Sequence, residues 1–173
     1  MNLRFIRLFI YSVGNYIVEK IQKIYFTTNY YNNSLKISPP SRSYDMNNVP
    51  LLLELEDKNN QRIELLNRFH KNIWKLDNIG RKHISELHKF SWLSQLDIKN
   101  QKNLVKTIIL EWLKKNQNYN EKNWHHQITS HRIIFCICCS HFTIRHDDMV
   151  YRAAVTNNIV KQAVHLNKNL SFV

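Results

Sequence analysis

"NWHHQITSHRIIFCICCSHF", residues 123–142, holds four of the nine histidines and all three cysteines of the chain. Its reading decides the fold, because the same residues could build a metal knot or simply line one buried helix. Structural zinc takes paired thiolates such as CxxC, with a second pair a dozen or more residues away. Here Cys136, Cys138 and Cys139 fall as CICC, and the chain has no second pair. On a helix Cys136 and Cys138 point about 200° apart, at about 100° per residue, so one ion cannot take both. A catalytic thiol needs a neighbouring base and solvent access, and this trio sits in the most apolar stretch. The cysteines read as packing in a helix. No metal and no cofactor are expected, and an odd cysteine count implies no disulfide framework.

Working outward, the flanking segments carry the same helical signature. In "RKHISELHKFSWLSQL" (81–96), Ile84, Leu87, Phe90, Leu93 and Leu96 fall on one stripe, with Trp92 beside it. "NQKNLVKTIILEWLKKN" (100–116) repeats the pattern through Leu104, Ile108 and Trp112, and ends in lysines that suit a helix C-terminus. "DDMVYRAAVTNNIVKQAVHLNKNL" (147–170) opens with acids suited to a helix start and runs apolar at Val150, Ala154, Ile159, Ala163 and Leu166. Four helices with short links are expected to pack as antiparallel neighbours over 81–173. With only 2 glycines and 3 prolines, turn-dense β folds are disfavoured. The expected class is all-α.

The N-terminal part divides in two. In residues 1–26, Ile6, Phe9, Ile10, Val13, Ile17, Ile21 and Ile24 share one helical face, which reads as an amphipathic helix. Arg7 interrupts its apolar run and no small-residue cleavage site follows, so neither a signal peptide nor a transmembrane anchor is read, and the cytoplasm is favoured over the periplasm. Residues 27–80 read as a connector with irregular or short elements, containing the pair Pro39–Pro40. Within it "LLLELEDKNNQRIELLNRF" (51–69) admits a helix, and "RFHKNIWKLDN" (68–78) an extended segment or short hairpin.

A net charge of +12 invites a polyanion partner, yet no run of Lys or Arg exceeds two residues. Phosphate-binding surfaces cluster their cations, so nucleic acid is disfavoured as the partner. The polar half of the opening stretch is more informative. Trp124, His125 and Arg132 come where a loop enters a helix, and aromatic stacking with cationic hydrogen bonding is how acidic sugars are held. These three are the expected substrate-binding residues, although Trp124 fits a core anchor equally well.

Several stretches together resemble the N-terminal helical region of bacterial heparinase II/III-like proteins. The marks are Phe90, Trp92 and Leu93, then Trp112, Trp124, Arg132, Ile133, Gln162, His165 and Leu166, in order over about half the chain, with "KISPP" (36–40) upstream. The resemblance implies a fragment of an (α/α) toroid built from helical hairpins, completed by a C-terminal toroid portion and a β-sandwich. It implies a polysaccharide lyase acting by β-elimination on uronic-acid-containing chains, with an acidic polysaccharide as partner. In that family the catalytic Asn, Tyr and His lie further along the chain than Val173, so no catalytic residue is expected here and the chain is expected to be inactive alone. A basic helical nucleic-acid-binding module or a scaffold is the competing reading.

Overall fold

The computed structural model describes residues 3–39, 74, 81–96 and 98–170, and the regular elements among them are helices, with no strand. The expected all-α class is observed. The alternative readings of 51–69 and 68–78 lie outside the described residues, apart from Trp74.

Helix α1 spans Leu3–Thr27, and a short α2 follows at Asn29–Ser34. This second helix arises inside a polar stretch because Thr28 caps it: the Tyr31 amide donates to Thr28 Oγ1 at 3.2 Å. Tyr31 and Leu35 then go fully inside, which anchors the turn by burial rather than by propensity.

Helix α3 (Arg81–His88) ends sooner than its apolar stripe foretold. Phe90 adopts φ 63, the left-handed region that a bulky residue rarely takes, and a 3-10 turn over Ser91–Gln95 replaces further α-helix. The break swings the Phe90 ring into the core, 5.7 Å from Trp92 and 5.3 Å from Trp112. Trp92 stays beside it, its indole N–H donating to the Leu87 carbonyl at 3.1 Å.

Helices α4 (Ile98–Asn116), α5 (His126–Cys138) and α6 (Met149–Leu170) make the body. A 3-10 turn at Ser140–Phe142 closes α5, and the buried Thr143 hydroxyl donates to the Cys136 carbonyl. The acids ahead of α6 do what their position foretells. Asp148 Oδ1 accepts the amides of Val150 and Tyr151, each at 3.0 Å, while Lys106 of α4 reaches Asp148 Oδ2 at 2.5 Å. One carboxylate thus caps α6 and ties it to α4. These contacts pull the Asp148 carboxyl down to about 2, the lysine contributing most.

The main core gathers Leu87, Trp92, Leu93, Ile108, Ile109 and Trp112 with Phe135, Cys136, Tyr151 and Val155. A smaller cluster of Tyr31, Leu35 and Trp124 sits where α2 meets the rest, with Phe26, Tyr119 and Val164 against it. No helix among the described residues is long and apolar enough to cross a membrane.

The apolar stripe expected on α6 is displaced. Val150 and Ala163 are exposed, and the buried positions are Tyr151, Val155, Asn158, Lys161, Gln162 and His165. The helix turns a largely polar face inward, and that face builds the site.

Candidate functional site

Arg132, on α5, is 1 % exposed, so each of its donors needs an internal acceptor. Nε donates to Gln162 Oε1 at 2.8 Å, and Nη1 to the His88 carbonyl at 2.8 Å. Nη2 donates to the Asn123 carbonyl at 2.9 Å and more weakly to Thr129 Oγ1 at 3.3 Å. The guanidinium plane rests 4.4 Å from the centre of the Trp112 ring. These partners are all neutral, so the charge is held by carbonyl dipoles and a π face rather than by a carboxylate. Burial pulls the guanidinium down to about 9, which leaves it charged at neutral pH.

His88 completes this centre. The Trp112 indole N–H donates to His88 Nδ1 at 2.7 Å, and the Trp74 ring stacks on the imidazole at 5.2 Å. Nδ1 therefore has no proton of its own. Burial first, and the neighbouring Arg132 charge second, push this histidine down to about 4.

A second centre lies one turn along α6. Tyr31 and His165 Nδ1 are joined by a 2.7 Å hydrogen bond, and the Phe26, Tyr119 and Trp124 rings surround the imidazole. Burial holds His165 near 4 as well, partly offset by a hydrogen bond to the Trp124 backbone. The two centres share a frame: Trp124 Nε1 donates to the Asn116 carbonyl at 3.2 Å, and Asn123 Nδ2 donates to Asn116 Oδ1 at 2.6 Å.

Beside these centres runs a groove of about 940 Å³ between α2, α4 and α6. Among the described residues its lining holds Lys36, Lys114 and Lys161 with Asn29, Asn32, Asn33, Gln117, Asn118, Asn157 and Asn158, and no carboxylate. The Asn32 amide is bonded to the Thr28 carbonyl and the Tyr119 N–H, and Asn158 Oδ1 accepts from Gln162. Lys161 is fixed in place by the Gln117 carbonyl at 2.5 Å and Asn118 Oδ1 at 3.0 Å, above the Trp124 ring. Desolvation, then the nearby Lys36 charge, lower the Lys161 ammonium from its ordinary value.

The three residues expected to face a sugar go to different places. Trp124 and Arg132 are both 1 % exposed and belong to separate interior centres. With its donors committed inside the protein, Arg132 cannot reach out to a ligand, which corrects its expected role. His125 does stay at the surface, preceding α5 with its ring 4.1 Å from that of His126. The cysteines sit where packing puts thiols: burial pushes Cys136 and Cys139 up to about 12, and Cys138 up less. Among the described residues no group of three or more His, Cys, Asp or Glu stands close enough to hold a metal ion.

Sequence reasoning missed the groove lysines and the Tyr31–His165 pair. The spacing of Asn158, Lys161, Gln162 and His165 at three and four was legible, but polar residues at that spacing ordinarily mark a solvated face. Comparison with family models, with curated proteins and with solved structures finds no match.

Proposed function

We propose that this chain is the N-terminal helical segment of a heparinase II/III-like polysaccharide lyase, which grips a uronic-acid-containing chain but does not cleave it alone. The observation that carries this reading is where the ten marks of the resemblance lie. Phe90, Trp92, Leu93, Trp112, Trp124, Arg132, Gln162 and His165 are all buried, and Ile133 and Leu166 are half-buried. Residues that hold a common frame together should be interior and mutually bonded, as Arg132 is with Gln162 and Trp112.

The groove supports the substrate class. Lysines answer carboxylates, and amide side chains both donate to and accept from sugar hydroxyls. β-Elimination also needs a base beside the acidic carbon, a Tyr or His within hydrogen-bond reach. Among the described residues the groove lining contains neither. Tyr151 donates its hydroxyl to the Phe142 carbonyl inside the protein, and His88 and His165 are committed to interior partners. Binding without turnover is what these groups provide. The C-terminal toroid and β-sandwich portions of the lyase supply the base in this reading.

The test is affinity chromatography of the pure chain on heparan sulfate, alginate and neutral dextran, with duplex DNA as competitor. Retention on the two acidic polymers, weakened by Lys36→Glu with Lys114→Glu, and no ultraviolet absorbance from unsaturated uronate, are expected. Turnover by the pure chain, or DNA binding that is tighter and steeply salt-dependent, would defeat the reading.

A further inference from the structure

We infer that α1 is a surface-lying anchor that docks its apolar stripe on an anionic lipid bilayer. The stripe is Ile6, Phe9, Ile10, Val13, Ile17, Ile21 and Ile24, recurring at three and four residues, and its members are 37–71 % exposed. Apart from Lys20, which falls within the same arc, this face is apolar over its length, far beyond the scattered apolar residues of an ordinary surface.

Its direction matters more than its size. α1 is fastened to the body through Phe26, whose ring packs on Tyr31, Tyr119 and His165, and through Lys23, which pairs with Glu121 at 2.8 Å. At about 100° per residue, Phe26 and Lys23 lie roughly 100–160° around the helix from the middle of the stripe. The stripe therefore faces away from the described residues that fasten the helix, and none of them covers it.

Charge selects the occupant. From Leu3 to Val18 the charged residues are Arg4 and Arg7, and the first carboxylate is Glu19. Arg7 stands at the edge of the stripe, about 95° from its middle, where a long side chain can reach lipid phosphates while the apolar face sinks among acyl chains, and Arg4 lies nearly opposite. Tyr16, 60 % exposed and about 85° from the middle of the stripe, supplies a ring suited to the headgroup level. A second copy of the chain carries the same net charge of +12 and is repelled, whereas an anionic surface attracts. The charges stand at the two ends of α1, Arg4 and Arg7 at one and Glu19, Lys20 and Lys23 at the other. The uncharged run from Leu8 to Val18 between them is too short to span a bilayer, which suits a helix lying in the interface plane.

Co-sedimentation of the full chain with vesicles tests it. Phosphatidylcholine vesicles are compared with vesicles of phosphatidylcholine and phosphatidylglycerol in equal parts. The chain should pellet with the anionic vesicles and leave the neutral ones. Ile10→Gln with Ile17→Gln, which leaves the charge unchanged, should abolish pelleting at unaltered circular dichroism. Arg7→Gln should lower the affinity about fivefold, and Arg4→Gln by less. No pelleting of the unmodified chain would overturn the anchor. Unchanged pelleting of the double Gln variant would assign the binding to diffuse charge and overturn it equally. A dimer in light scattering that the same variant makes monomeric, without vesicle binding, would give the stripe to a second copy instead.

Discussion

Helices α1 and α6 are nearly the same length, 25 and 22 residues, and they invert the usual relation between hydrophobicity and burial. α1 carries a full apolar stripe and leaves it exposed, while α6 buries Asn158, Lys161, Gln162 and His165. Burial follows the neighbours a helix meets, not its own apolarity. α6 lies against α4 and α5, where Arg132 of α5 and the Gln117 and Asn118 groups just past α4 offer polar partners. Among the described residues α1 meets the body near its C-terminal end, through Lys23 and Phe26.

The sharpest way to break this contrast is at Arg132. Arg132→Met fills similar space but leaves Gln162 Oε1 and the His88 carbonyl without their donor inside the protein, and the half-buried Asn123 carbonyl without its own. A buried acceptor left unsatisfied costs about 1–3 kcal/mol, so a loss of about 3–5 kcal/mol is expected in urea unfolding. Arg132→Lys should recover little, since one ammonium cannot span acceptors arranged for a planar fork. A loss below about 1 kcal/mol would mean that the polar interior of α5 and α6 is incidental to folding.

Next in size is the response to acid. His88 and His165 are held near 4 in the folded chain, against an ordinary value of 6.5, by burial in both cases. Arg132 faces His88, and Tyr31 with Asn169 faces His165. As pH falls below about 6.5 the unfolded chain takes up protons that the folded chain refuses. Stability is therefore lost between pH 6.5 and 4, by about 1.4 kcal/mol per pH unit for each histidine, and is unaffected by either above pH 7. His165→Gln should reduce the slope by about half in urea midpoints read against pH. A flat profile across that window would show the two imidazoles to be solvated.

How much of this was legible depends on whether a residue's partner is local. The cap at Asp148 and the lysines ending α4 were readable because their partners lie within one turn. Cys136 was readable as packing, since helix geometry alone separates it from Cys138. The left-handed turn at Phe90 was not readable, because it is stabilised by Trp92 and by Trp112 of another helix. Trp124 and Arg132 read from the sequence as ligand-facing, whereas their partners are protein groups far off in sequence, Lys161 and Gln162 among them. The groove was invisible for the same reason: its polar lining from α2, α4 and α6 is mostly Asn and Lys, which look like ordinary surface.

A smaller effect probes the start of α6. Asp148→Ala removes the acceptor for the Val150 and Tyr151 amides and the partner of Lys106. Losing an N-cap side chain weakens a helix modestly, because its first amides are left to water. The ion pair is partly exposed, with side chains 31 % and 34 % accessible, and adds little beyond that. A measurable fall in the urea midpoint is expected, smaller than for Arg132→Met, and Asp148→Asn, which keeps an acceptor, should restore most of it. If Asn restores none of the loss, the tie to α4 matters more than the cap.

The smallest effect belongs to α1 and completes the contrast. Ile10 and Ile17 are 64 % and 50 % exposed, so replacing both by Gln removes little buried apolar surface. Gln also favours a helix slightly more than Ile, which offsets the little that is lost. The melting and urea midpoints of Ile10→Gln with Ile17→Gln should match the unmodified chain within about 0.5 kcal/mol, as for surface changes generally. Burial of the same two side chains against the folded chain would instead cost several kcal/mol on polar replacement. A loss of more than about 1 kcal/mol would thus place the stripe against the chain itself, leaving no difference between α1 and α6 in what surrounds them. A stable variant, by contrast, leaves the stripe free in the monomer, as a helix held ready for an external surface must be.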